Sequence, residues 1–173
     1  FDKNDQGLPP IDYWQSLWKD YQRPENIALY KATDTGPAYE SADVSDNTYI
    51  DGLLTEKVIR DLKRLKTSHK PFLLTAGFIA PHLPFNAPTK YWDMYDRSEI
   101  KQPYNNYVPK NAPKTSISHW GEMRAYTGIP KQGNVSDETA ISLIHGYYAT
   151  VSYVDALIGQ IMVALTDLEL DKN

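Results

Sequence analysis

With 173 residues, 41% apolar and 23% charged, and a net charge of −4, the chain has the composition of a globular protein with a buried core rather than a disordered tail. No basic run stands behind that charge, so nucleic acid is not expected as a partner, and no stretch reads as a membrane span. The absence of cysteine excludes disulfides and thiolate metal sites.

The first fifty residues show little regular period. Pro9-Pro10, Pro24 and Gly36-Pro37 punctuate them, so residues 1–50 are expected to be an irregular, surface-wrapping segment. The start is polar (Asp2, Lys3, Asn4, Asp5) and carries no secretory signal, so either an export signal has been removed or this is an internal piece. Asp2, Asn4, Gln6 and Gly7 superficially resemble a calcium loop, but Tyr13 occupies the position that needs glutamate, and that site is rejected.

From Asp51 to Lys66 the pattern turns helical. Leu54, Val58, Leu62 and Leu65 fall on one face, Asp51 stands as the N-cap, and basic residues gather toward the C-terminal end. The short apolar run Phe72-Leu73-Leu74, bounded by Lys70-Pro71 and Gly77, predicts a buried strand over about 71–78. A stiff loop follows, Pro81-His82-Leu83-Pro84, in which each proline fixes its own φ and drives its predecessor toward extended geometry. A short helix is expected after Pro88. Residues 97–135, rich in Pro, Asn, Gly and Lys, are expected to form an irregular insertion. Ser136 then opens a long helix through about residue 166, with Asp137 and Glu138 in its first turn. Its expected core stripe is Ile144, Tyr148, Val151, Asp155, Ile158, Met162 and Leu165, which would force Asp155 to find a cation or backbone donors. Helix, strand and helix in this order indicate an α/β protein with a mixed sheet flanked by helices.

For His82 two readings are open: a histidine that caps a turn, or a fixed donor at the end of a core strand, where α/β proteins bind ligands. Trp120, Glu122, Arg124 and Tyr126 form a polar–aromatic group. There Arg124 suits a sulfate or carboxylate and Trp120 a sugar face; the alternative is a surface ion pair on a helical turn. His145, Ser152 and Asp155 share one helix but make no catalytic triad, because no strained Gly-x-Ser-x-Gly elbow exposes the serine. No metal-ligating motif can be assembled.

Several blocks agree in order and spacing with one family. Gly77 to Tyr95 (GFIAPHLPFNAPTKYWDMY), Gly36-Pro37-Ala38-Tyr39-Glu40, Gly121-Glu122-Met123-Arg124-Ala125-Tyr126, Gly128-Ile129-Pro130, His145-Gly146-Tyr147-Tyr148-Ala149 and Val151-Ser152-Tyr153 with Asp155 resemble the formylglycine-dependent sulfatases, in particular their iduronate-2-sulfatase-like branch. The resemblance implies an alkaline-phosphatase-like fold, incomplete in this chain, and hydrolysis of sulfate esters of a sulfated sugar or polysaccharide. It also implies a formylglycine nucleophile, a calcium ion and a periplasmic or secreted location. It makes His82 the catalytic residue that stabilises charge on the bridging ester oxygen; Arg124 and Trp120 are offered as substrate-binding residues on their side-chain chemistry alone. The sequence contains no Cys/Ser-x-Pro-x-Arg and no calcium-binding acidic segment of the family, and Ala80 stands where relatives often carry Lys or Arg. The chain is therefore expected to be an internal fragment, inactive alone, that needs the remaining sulfatase segments or a partner chain. The alternative is a non-catalytic carbohydrate-binding or scaffold domain on the same fold.

Overall fold

A computed structural model describes residues 21–68, 70–116 and 121–172. Its elements run α1 (Pro24–Thr33), β1 (Tyr39–Ala42), α2 (Ile50–Thr67), β2 (Phe85–Pro88), α3 (Thr89–Trp92) and α4 (Asp137–Asp167), with short 3-10 turns at Arg97–Glu99, Lys114–Ser116 and Glu122–Ala125. The rejected calcium loop lies outside the described residues.

β1 and β2 pair in parallel, Tyr39 opposite Phe85 and Ala42 opposite Pro88. Parallel neighbours need a crossover, and α2 with residues 68–84 supplies it. Every residue of β2 is buried, as befits a strand covered on both faces. α4 lies across this small sheet. Ala42, Ala87, Tyr49, Tyr91, Trp92, Ala149, Tyr153 and Leu157 form one core cluster. Ala38, Phe85, Tyr126, Ile129 and Leu143 form a second.

The sequence expectations require five corrections, the last of them at the start of α2. The predicted strand over 71–78 makes no ladder: Leu73 is 92% exposed, Phe72 is 41% exposed, and the strand of this region is Phe85–Pro88. A strand is a property of a pair. The apolar run 72–74 has no neighbouring strand among the described residues, whereas Phe85–Pro88 has β1 beside it. Within the expected irregular segment, residues 24–33 form α1. Pro24 sits at the first helical position, where its missing N–H costs nothing, and Glu25 and Lys31 match the helix dipole. No apolar residue of α1 is buried, which is why no apolar period marks it.

The third correction concerns α4. Its capped start is as expected, with Ser136 Oγ accepting from Thr139 N at 3.1 Å. Its buried face is different: Ser142, Leu143, His145, Gly146, Ala149, Thr150, Tyr153 and Leu157 face inward. Tyr148, Val151, Ile158 and Met162 are exposed, and so is Asp155, which therefore needs no buried partner. The helix is apolar nearly all round, so period alone could not choose the face. The small residues chose it, because Gly146 and Ala149 let the helix axis approach β2 and α3 closely. A Cβ on Gly146 would meet Phe85 Cβ and Trp92 Cη2, each at 2.9 Å. Gly146→Ala is therefore expected to lose about 1–2 kcal/mol of stability despite the helix preference for alanine, read as a lower denaturant midpoint of the full-length polypeptide.

The fourth correction follows from the same helix. Asp137–Asp167 is long and apolar enough, by length and composition, to cross a membrane. Length and composition do not establish a span, and the inner face of this helix is seated on β2, α2 and α3.

Candidate functional site

The His82 loop is built on α2. Asp51 does not cap the helix as expected; Tyr49 holds the N-cap position and makes no side-chain cap bond. The Asp51 carboxylate instead accepts from Ile79 N at 2.9 Å and Ala80 N at 2.8 Å, so the start of the helix holds the entry of the proline-flanked loop. His82 N closes the turn onto Ile79 O at 2.9 Å. Both Ala80-Pro81 and Leu83-Pro84 are cis. Leu83 packs against the second core cluster, so the loop is fastened on both sides of the histidine.

Asp51 is 3% exposed. Burial pushes its carboxyl above the ordinary Asp value, against the pull of the two N–H groups. Between the ordinary and the raised value, the folded protein keeps a proton that the unfolded chain has lost. The Asp51 contribution therefore falls as pH rises through that window. Asp51→Asn is expected to abolish that slope, so the difference in unfolding free energy between wild type and variant should change with pH only there. Urea titrations of both proteins at a series of acidic pH values measure it.

The His82 ring is 57% exposed and engaged at both nitrogens. Nδ1 lies 2.7 Å from Leu83 O, and a carbonyl only accepts, so Nδ1 carries a proton and donates. Nε2 lies 3.4 Å from Glu122 Oε1. Below the loop a small cavity of about 30 Å³ is lined by Tyr49, Asp51, Ile79, Asn86 and Tyr153 as well as His82.

Glu122 arrives from the irregular segment, which is tied to the sheet at this point. Thr127 N donates to Gly36 O at 2.8 Å, Pro37 and Thr127 form a parallel bridge, and Tyr126 and Ile129 are buried. Gly128 has φ +82°, a left-handed turn that a side chain would strain. Burial and the nearby Glu122 carboxylate push the Tyr126 phenol far up, so it stays neutral. Arg124 braces the same turn: Nη1 donates to Pro130 O at 2.7 Å and Nη2 to Gly133 O at 2.8 Å. It also lines an open cleft of about 520 Å³ with Gln102, Met123, Asn134 and Asp137, which His82 does not border. Trp120 lies outside the described residues.

His145 and Ser152 pack rather than react. His145 Nε2 donates to Trp92 O at 2.8 Å with its ring against Trp92, and Ser152 Oγ lies 2.5 Å from Tyr95 OH. Among the described residues no group of three His, Asp or Glu side chains stands together, so the residues present do not fit a calcium site.

A second buried carboxylate escaped the sequence reading. Glu40, 2% exposed on β1, accepts from Gln22 N and Tyr49 OH on Oε1, at 2.7 and 2.9 Å. On Oε2 it accepts from Arg23 N and Asn26 Nδ2, at 3.1 and 2.7 Å. It joins α1, β1 and the lead into α2. Two of its donors are backbone groups, which no residue pattern marks.

The parallel βαβ unit thus presents a proline-flanked histidine, backed by the buried Asp51 and faced by Glu122. Comparison with known proteins names the class. The Sulfatase family model matches residues 6–173, and the chain belongs to the sulfatase family, with its alkaline-phosphatase-like fold. It is 31% identical to mouse (Mus musculus) iduronate 2-sulfatase over 138 residues, covering 76% of this chain and 25% of that protein. It is 30% identical to the human (Homo sapiens) iduronate 2-sulfatase over 134 residues, covering 74% and 24%. A choline-sulfatase of Rhizobium meliloti (strain 1021) is 28% identical over 99 residues, 57% of this chain and 19% of the relative. The chain thus spans about a quarter of the length of the iduronate 2-sulfatases it matches.

Proposed function

We propose that this chain is the central part of a sulfatase that hydrolyses sulfate esters of a sulfated sugar or polysaccharide, and that His82 is its catalytic contribution. One observation carries the reading: His82 is pinned through Nδ1 to its own loop, leaving Nε2 as a fixed group on an exposed edge. When the ester S–O bond breaks, negative charge grows on the bridging oxygen. A donor already in place stabilises that charge without reorganising. In this reading Arg124, with two N–H groups engaged in bracing its turn, presents its remaining charge to an anionic sugar along the adjoining cleft, and Trp120 contributes a sugar-stacking face.

The nucleophile, the calcium ligands and the strands that would flank residues 71–79 belong, in this reading, to other segments of a longer polypeptide. The exposed Leu73 and the exposed outer face of α4 (Tyr147, Val151, Met162, Val163) are consistent with such neighbours. We place the whole protein in the periplasm or outside the cell.

The test is sulfate release by the full-length polypeptide from a panel of sulfated monosaccharides and polysaccharides, beside the 173-residue chain alone. The full-length protein should release sulfate from at least one carbohydrate, and the short chain from none. Sulfate binding or sugar binding without turnover by the full-length protein would overturn the enzyme reading in favour of a binding domain.

A further inference from the structure

The irregular segment brings a carboxylate to the histidine, and that contact has a consequence for the chemistry. Leu83 O can only accept, so Nδ1–H is committed to it. The other ring nitrogen, Nε2, faces Glu122 Oε1 at 3.4 Å, so the ring is held from both edges. Glu122 is itself held firmly. Its 3-10 turn is anchored by buried Tyr126, by the Thr127–Gly36 hydrogen bond and by the Arg124 brace, and Met123 packs on the same cluster as Leu83. Of the other groups around the loop, Asp51 turns its carboxylate to Ile79 N and Ala80 N, Tyr49 and Tyr153 are neutral phenols, and Asn86 is uncharged. Glu122 is thus the charged side chain that meets the ring edge among the described residues.

We propose that Glu122 is a positioning residue for His82: its carboxylate, 3.4 Å from Nε2, fixes the orientation of the ring so that the Nε2 edge stays on the substrate side. The inference rests on the reading of His82 as the donor to the ester. It predicts an asymmetry. Loss of the carboxylate charge removes a repulsion toward an anionic substrate, so binding does not weaken, but it releases the ring from its orientation, so turnover falls.

The experiment is the pH profile of sulfate release by full-length Glu122→Gln, Glu122→Asp and His82→Gln. For the Gln variant of Glu122 we expect kcat about tenfold lower at every pH, with KM unchanged or reduced. The Asp variant, which keeps the charge but withdraws it, should fall between. It carries the test if the Gln variant does not fold, and then its kcat must still lie below that of wild type. Profiles that superimpose on wild type would overturn the proposal, because they would leave Glu122 a purely structural role. An active His82→Gln protein would instead overturn the role of His82 itself. An inactive one, with unchanged Glu122 profiles, would sink only the positioning role.

Discussion

In the full-length polypeptide, His82→Ala is expected to lower kcat for sulfate release by about 10²–10³, with KM changed only a few-fold. That is the usual consequence of removing one fixed donor from a site where charge develops. The ring is more than half exposed, at 57%, and it makes one hydrogen bond to its own loop, so its removal should cost about 1 kcal/mol of stability or less. The two effects are separable. Steady-state kinetics combined with a thermal melt distinguishes a lost donor from a collapsed loop. A variant that melts like wild type and keeps more than a tenth of its kcat would remove His82 from the chemistry.

The largest stability effect is expected at Glu40. Its carboxylate accepts four hydrogen bonds in a site that is 2% exposed. Glu40→Gln keeps the shape but turns one oxygen into a donor. Facing Oε1, the new amide can be tolerated by rotating the Tyr49 hydroxyl, yet Gln22 N–H cannot turn away. Facing Oε2, Asn26 can flip its amide, yet Arg23 N–H cannot. Either way one backbone donor is left against another donor, and the charge-assisted character of the remaining bonds is gone. A loss of about 3 kcal/mol follows, read as a shift of the denaturant midpoint of the full-length polypeptide. Glu40→Asp should be nearly as damaging, because a side chain one methylene shorter cannot reach all four donors. A variant with the wild-type midpoint would contradict the reading of Glu40 as the joint between α1, β1 and the lead into α2.

These two residues also mark what a sequence can and cannot disclose. The His82 loop was legible because two prolines and an adjacent apolar run are local signals. The α4 start was legible because Ser136 and two acids form a cap. Wherever the answer depended on a partner distant in sequence, the local signal failed. The apolar run 72–74 looks like a strand, yet pairing fell to Phe85–Pro88, which β1 can reach. The period of α4 fits more than one face, and the close approach of Gly146 and Ala149 decided between them. Asp51 carries the right residue type for a helix cap, but Ile79 N and Ala80 N, nearly thirty residues away, took its oxygens. Glu122 was visible as part of a polar–aromatic group. Its place beside His82 required the tie between Thr127 and Gly36, which no spacing reveals.

The measurement that bears most directly on the central claim is a product analysis of the full-length polypeptide acting on matched sulfate and phosphate esters of the same alcohol, with both inorganic anions quantified by ion chromatography. A sulfatase with His82 on the ester side should release sulfate in step with the free alcohol, and at least a hundredfold faster than phosphate. Phosphate release at an equal or greater rate, or no sulfate from any ester, would contradict the account.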